Sequence, residues 1–149
     1  QFADAQAAYE RALALDPNGN CANEENLSEQ GRAQATRLKS MLDRAGIKFD
    51  LVLTSPYCRA KETAQLAFGR ATAETNLTAL ENGTQEQALA RTKAITELLA
   101  GRVGKGSIAM VTHRPNIDAL TLELVDEGEA IVARIQPGGD LDIVGRIRP

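Results

Sequence analysis

Along this chain, short apolar runs alternate with stretches in which apolar residues recur every three or four positions, the pattern of strands interleaved with amphipathic helices. Phe2, Ala5, Ala8, Tyr9, Ala12 and Leu13 share helical spacing, and Asp16-Pro17-Asn18-Gly19 stops that first helix. Ser28 is placed to N-cap a second helix with Ala35, Leu38, Leu42 and Ala45 on one face and Gly46 as its C′ residue. Residues 49–54 read as a short buried strand, and Ser55-Pro56 turns the chain into a helix that ends at Gly69. A polar stretch precedes a helix over residues 84–99, with Ala88, Thr92, Ile95 and Leu99 inward and Gly101 closing it. Residues 108–112 form a second buried strand, after which Pro115 suits the first turn of another helix. Residues 129–135 and 141–147 then make a hairpin around Pro137-Gly138-Gly139.

This alternation predicts an α/β three-layer sandwich: a mostly parallel sheet with helices on both faces, and a C-terminal hairpin adding antiparallel edge strands. In such sheets, ligands bind beyond the carboxyl ends of the strands. The residues just after Leu53 and just after Val111 are therefore the places to look for chemistry.

Composition narrows the field. At 149 residues, 43% of them hydrophobic and 25% charged, the chain has the makings of one ordinary core. The balance of 17 basic and 20 acidic residues, a net charge of -3, argues against nucleic acid or an anionic membrane as partner and leaves small molecules as the expected ligands. No apolar run approaches the ~20 residues of a membrane span. The sequence begins at Gln1 rather than Met, consistent with a fragment or a processed form, so localisation stays open between cytoplasm and export. Cys21 and Cys58 have no partners at metal-ligand spacing and neither starts a Cys-x5-Arg loop, which argues against zinc and thiol catalysis.

Two residues stand where ligands are expected. Arg59 follows Thr54-Ser55-Pro56-Tyr57-Cys58 and falls in the first turn of a helix, where a guanidinium fork and free backbone N–H groups together favour an oxyanion. His113, the single histidine, directly follows the second strand in Val111-Thr112-His113-Arg114-Pro115-Asn116. Taken alone, each has an ordinary reading, a surface arginine in an ion pair and a half-buried structural histidine. As a pair at the ends of two strands of one sheet, they can converge on one site.

The segments LSEQGRAQA, VLTSPYCRAKETAQLAF and VTHRPNIDAL occur in an order and spacing that resembles the histidine phosphatase (phosphoglycerate mutase-like) superfamily, most of all a small bacterial branch with some exported members. The resemblance covers about residues 21–147. It implies a mechanism in which a first His attacks phosphorus, two Arg and a second His hold the equatorial oxygens, and a carboxylic acid protonates the leaving group, with no cofactor. By motif position, Arg59 matches the second arginine and His113 the second histidine. Ser55 and Asn116 are pocket candidates beside them. Glu74 and Glu81 lie where relatives often carry the acid, but no local motif singles either out.

The family's first strand ends in Arg-His-Gly, and residues 1–26 contain no His. The resemblance therefore implies that the nucleophile and a central strand are missing. In their place, AAYERALALDPNG resembles one helix of a tetratricopeptide repeat, with no second copy downstream. The implied division is a tetratricopeptide-like helix and linker over residues 1–20, a candidate surface for a protein partner, and an incomplete phosphatase-like domain over residues 21–149. The expected function is binding of phosphate or a phosphomonoester with impaired catalysis. Two alternatives stand beside it: an active phosphomonoesterase completed by upstream or partner sequence, and a non-enzymatic interaction module. The places of Cys21, in the stretch that leads into the first family segment, and of Cys58, inside the second, suggest a disulfide beside the pocket, against an alternative of two free thiols.

Overall fold

The structure, a computed structural model, describes residues 14–17 and 19–149. The helix expected over residues 2–15 falls almost wholly outside the described residues. Helix α1, Glu29–Arg44, starts where Ser28 adopts extended backbone and its Oγ accepts the Gly31 N–H at 3.1 Å. It stops where Gly46 turns to a φ of 68°, a conformation that costs glycine little. Ala35, Leu38 and Leu42 are buried, as their spacing predicts, but Ala45 is the exposed C-cap, already past the last turn that faces the core.

Strand β1 is Leu51–Thr54, two residues shorter than the apolar run suggests. The Phe49 carbonyl is taken by Arg70 Nη2 at 2.6 Å, and its ring stands edge-on to Phe68 at 5.2 Å, so Phe49 packs instead of pairing. Helix α2, Cys58–Phe68, ends at Gly69 in the left-handed conformation. Next comes β2, Thr72–Ala73, which the hydrophobic pattern does not reveal because both residues are exposed. Helix α3, Gln85–Ala100, opens with a capping box between Thr84 and Gln87. Only Ile95 and Leu99 of its predicted inner face are fully buried, while Ala88 and Thr92 are half-buried. Strand β3, Ile108–Val111, leads into helix α4, Arg114–Thr121, with Pro115 in its first turn.

The strands order as β2-β1-β3, all parallel. Side chains alternate across the sheet with period two. Leu51, Leu53, Ile108 and Met110 meet Ile95 and Leu99 of α3, Leu120 of α4, and Leu77. Val52 and Ala109 face Ala64 of α2 on the other side, where Leu38 and Leu42 of α1 pack with Ala67. The result is three layers, and each large aliphatic side chain fully buried between them contributes about 1.5–3 kcal/mol.

The hairpin, β4 (Ala130–Ile135) and β5 (Leu141–Ile147), pairs antiparallel with an irregularity at Val132/Ala133. Rather than adding edge strands to the parallel sheet, it forms a separate two-stranded sheet. Its side chains explain why: Ile135 and Leu141 join the cluster around Leu99, and Ile147 joins that around Leu38 and Leu42. Gly139, at a φ of 91°, brings the turn so close to α3 that a Cβ there would sit 2.0 Å from the Thr96 carbonyl oxygen. Among the described residues no helix is long and apolar enough to cross a membrane.

Candidate phosphate site

The carboxyl ends of β1 and β3 are tied together by the backbone. The Ser55 N–H donates to the Val111 carbonyl at 2.8 Å, and the Glu74 N–H donates to the Thr54 carbonyl at 2.8 Å. This brings Ser55 beside His113, and Ser55 Oγ and His113 Nε2 share a hydrogen bond of 2.7 Å. Ser55 Oγ also accepts the Tyr57 N–H at 3.3 Å, which closes the turn into α2.

Tyr57 links the two halves of the site. Its ring, 1% exposed, meets the His113 ring edge-on at 4.7 Å, and the Arg59 guanidinium lies over it at 4.5 Å from the centroid. Ser55, Tyr57, Arg59 and His113 thus form one contiguous cluster. Arg59 Nη1 is buried within it without a hydrogen-bond partner. A buried cationic nitrogen left unpaired is costly, and an incoming oxyanion would satisfy it.

The cluster's electrostatics follow from burial and from that arginine. Desolvation, with the positive charge of Arg59 second, lowers the His113 pKa from 6.5 to about 4. Near neutral pH the ring is therefore an uncharged imidazole with one donor and one acceptor nitrogen, of which Nε2 is engaged by Ser55. Burial raises the Tyr57 pKa, opposed by its hydrogen bond with the Leu15 backbone and by Arg59, while the charge of Glu81 pushes it the same way as burial. Glu81 is thus close enough to act on the cluster electrostatically.

The remaining candidates divide. Asn116 is 4% exposed and its amide is engaged with the segment at residues 77–80: its Oδ1 accepts the Leu80 N–H at 3.2 Å, and its Nδ2 donates to the carbonyls of Thr78 at 2.9 Å and Leu77 at 3.5 Å. With Thr112 Oγ1, which donates to the Leu77 carbonyl at 2.7 Å, it fastens the segment between β2 and α3 to the end of β3. Glu74 is occupied in a local turn, accepting the Asn76 N–H at 3.0 Å. Cys21 and Cys58 form a disulfide with their Cα atoms 5.6 Å apart. No group of three or more His, Cys, Asp or Glu able to hold a metal ion occurs among the described residues.

Sequence reasoning missed Tyr57 and Glu24. Tyr57 was legible in principle, being two residues before Arg59 on the same turn. Glu24, 6% exposed with its Oε1 on the Cys58 N–H at 2.8 Å, carried no local signal, since its partner is 34 residues away.

Residues 20–82 match the family model of the histidine phosphatase superfamily (branch 1). No curated protein matches the chain. Among solved structures, the fold is similar to that of the protein histidine phosphatase SixA in complex with tungstate, at a TM-score of 0.70 and 14% identity over 91% of this chain and 90% of that one. The Thermus thermophilus protein TTHB049 follows at 0.60 and 20% identity, over 83% of this chain and 85% of that one. A structure assigned as the phosphohistidine phosphatase SixA of Agrobacterium tumefaciens gives 0.57 and 18%, over 83% and 84%. The segment that carries Arg59 is thus similar to the histidine phosphatase superfamily, and the chain shares the fold of SixA over 91% of its length.

Proposed function

We propose that the cluster of Arg59, His113 and Ser55 binds phosphate or the phosphoryl group of a phosphomonoester, and that the chain turns such esters over poorly or not at all. The observation that carries this reading is Arg59 Nη1, buried and unpartnered beside a neutral imidazole. A phosphoryl oxygen supplies the missing acceptor, and the opposite charge gains strength from the low-dielectric surroundings. His113 then serves as a hydrogen-bonding group on a second oxygen, with Ser55 Oγ fixing its ring.

Impaired turnover follows from the family's chemistry. A phosphohistidine mechanism needs one imidazole to attack and further cations to neutralise the charge spread over the equatorial oxygens. This chain has one histidine, and His113 stands in the motif of the second. The substrate class is a phosphorylated small molecule; a phosphorylated protein is the other class the fold's neighbours bring into view, one of them being a protein histidine phosphatase. The division into a tetratricopeptide-like segment over residues 1–20 and a phosphatase-like body over residues 21–149 belongs to the same proposal.

Calorimetric titration with inorganic phosphate tests the binding reading. Saturable binding by the wild type, lost in Arg59→Ala, is the expected result, and the absence of any binding would overturn it. Hydrolysis of p-nitrophenyl phosphate by this chain, abolished in His113→Ala, would sink the impairment reading and favour an active phosphomonoesterase.

A further inference from the structure

Glu24 is a buried carboxylate that the phosphate site does not use directly. Its Oε1 accepts the N–H of Cys58, the first residue of α2, at 2.8 Å, and its Oε2 accepts the Asp16 N–H at 3.3 Å. Tyr57, the N-cap of α2, makes no side-chain cap bond, so Glu24 supplies from a distant loop the acceptor that a local Ser or Asp would ordinarily provide. Its negative charge also complements the positive end of the helix.

The loop that carries Glu24 is itself ordered by short-range bonds. Residues Cys21–Asn23 form a 3₁₀ turn capped by Asn20, and Asn26 Nδ2 donates to the carbonyls of Cys21 at 2.7 Å and Glu24 at 3.1 Å. The Cys21–Cys58 disulfide then joins this turn to the residue whose N–H Glu24 holds. Cys58 is therefore fixed twice, through its backbone and through its sulfur, and Arg59 is the next residue.

We propose that Glu24 and the disulfide act as one brace, with Glu24 as a positioning residue for Arg59, so that the grip of the pocket on a phosphoryl group depends on the redox state of the bridge. The proposal rests on Arg59 being the phosphate-binding group. A dithiol reductant delivers two electrons and two protons to the bridge, which becomes two thiols while the reductant closes to its own disulfide. The Cys21 turn is then released, Glu24 is held at α2 by one hydrogen bond alone, and the first turn of α2 loosens around Arg59.

The test compares oxidised wild type, wild type reduced with dithiothreitol, Glu24→Ala and Glu24→Gln. Two quantities are read: the heteronuclear NOE of the Arg59 Nε–Hε group without ligand, and the Kd for inorganic phosphate. In the reduced protein and in Glu24→Ala, the NOE falls and Kd rises about 3- to 10-fold, the scale on which losing a helix cap acts. Glu24→Gln keeps an acceptor for the Cys58 N–H and restores both values to within about 2-fold of wild type, since only the charge is lost.

An NOE and Kd unchanged by reduction and by Glu24→Ala, alongside a lowered melting temperature, would overturn the proposal and leave the brace a purely structural feature. Should Glu24→Ala fail to fold, reduced wild type carries the same test. If oxidised wild type binds no phosphate, the binding reading falls, while the Arg59 NOE still decides whether the brace positions the side chain.

Discussion

The two strand ends that build the site are held in different ways. The turn after β1 is secured from outside its own neighbourhood by a disulfide to Cys21 and a buried carboxylate from Glu24, while its own Tyr57 ring lies under Arg59. The turn after β3 has no covalent tie and no side-chain cap on α4, and depends on the hydrogen bonds of Asn116 and Thr112 to the segment at residues 77–80. The difference follows the charge each presents. A cationic fork on a long flexible side chain gives directional binding only if its helix is fixed, whereas His113 needs only a buried ring in one orientation, which Ser55 and Tyr57 supply.

Each end can be broken separately. Removing the bridge with the double substitution Cys21→Ser and Cys58→Ser has the largest expected effect, a loss of about 2–4 kcal/mol in urea denaturation for a closed loop of this span. Acid attacks the other end. The unfolded chain takes a proton on its histidine near pH 6.5, and the folded chain resists until about 4. The contribution of His113 to stability therefore falls as pH drops from about 6.5 to about 4 and levels off below, by up to about 3 kcal/mol. Denaturation across that range, repeated in His113→Gln to show the slope between about pH 6.5 and 5 flatten, checks it.

Asn116→Ala sharpens the comparison, since it leaves the Leu80 N–H and the Thr78 carbonyl without their buried partner. A loss of about 1–3 kcal/mol is expected, with the melting temperature of the Arg59 end's variants unaffected beyond additivity. At the bottom of the scale, Lys39→Ala removes an exposed pair with Asp43 at 2.9 Å and changes stability by less than about 0.5 kcal/mol, far from either end.

Much of this was present in the linear pattern. Ser28, Gly46, Gly69 and Thr84 mark element ends through local backbone chemistry, and Leu38, Leu42, Ile95 and Leu99 declare their buried faces by spacing alone. Strand β2 escaped notice because two exposed residues carry no periodicity, and its place depends on pairing with Leu53 and Thr54 of β1. The separate seat of the hairpin escaped for a related reason, because alternation shows that two strands pair but not which helix their apolar face will cover.

For the site, the chain alone determined that Arg59 and His113 stand at the ends of two parallel strands, because strand boundaries and the motifs after them are local properties. That Tyr57 joins the two, that Asn116 turns toward the segment at residues 77–80, and that Glu24 caps the helix of Arg59 were decided only in three dimensions. Each of those contacts unites side chains with backbone or rings from separate elements, and a buried polar group takes whichever partner the packed layers bring within reach.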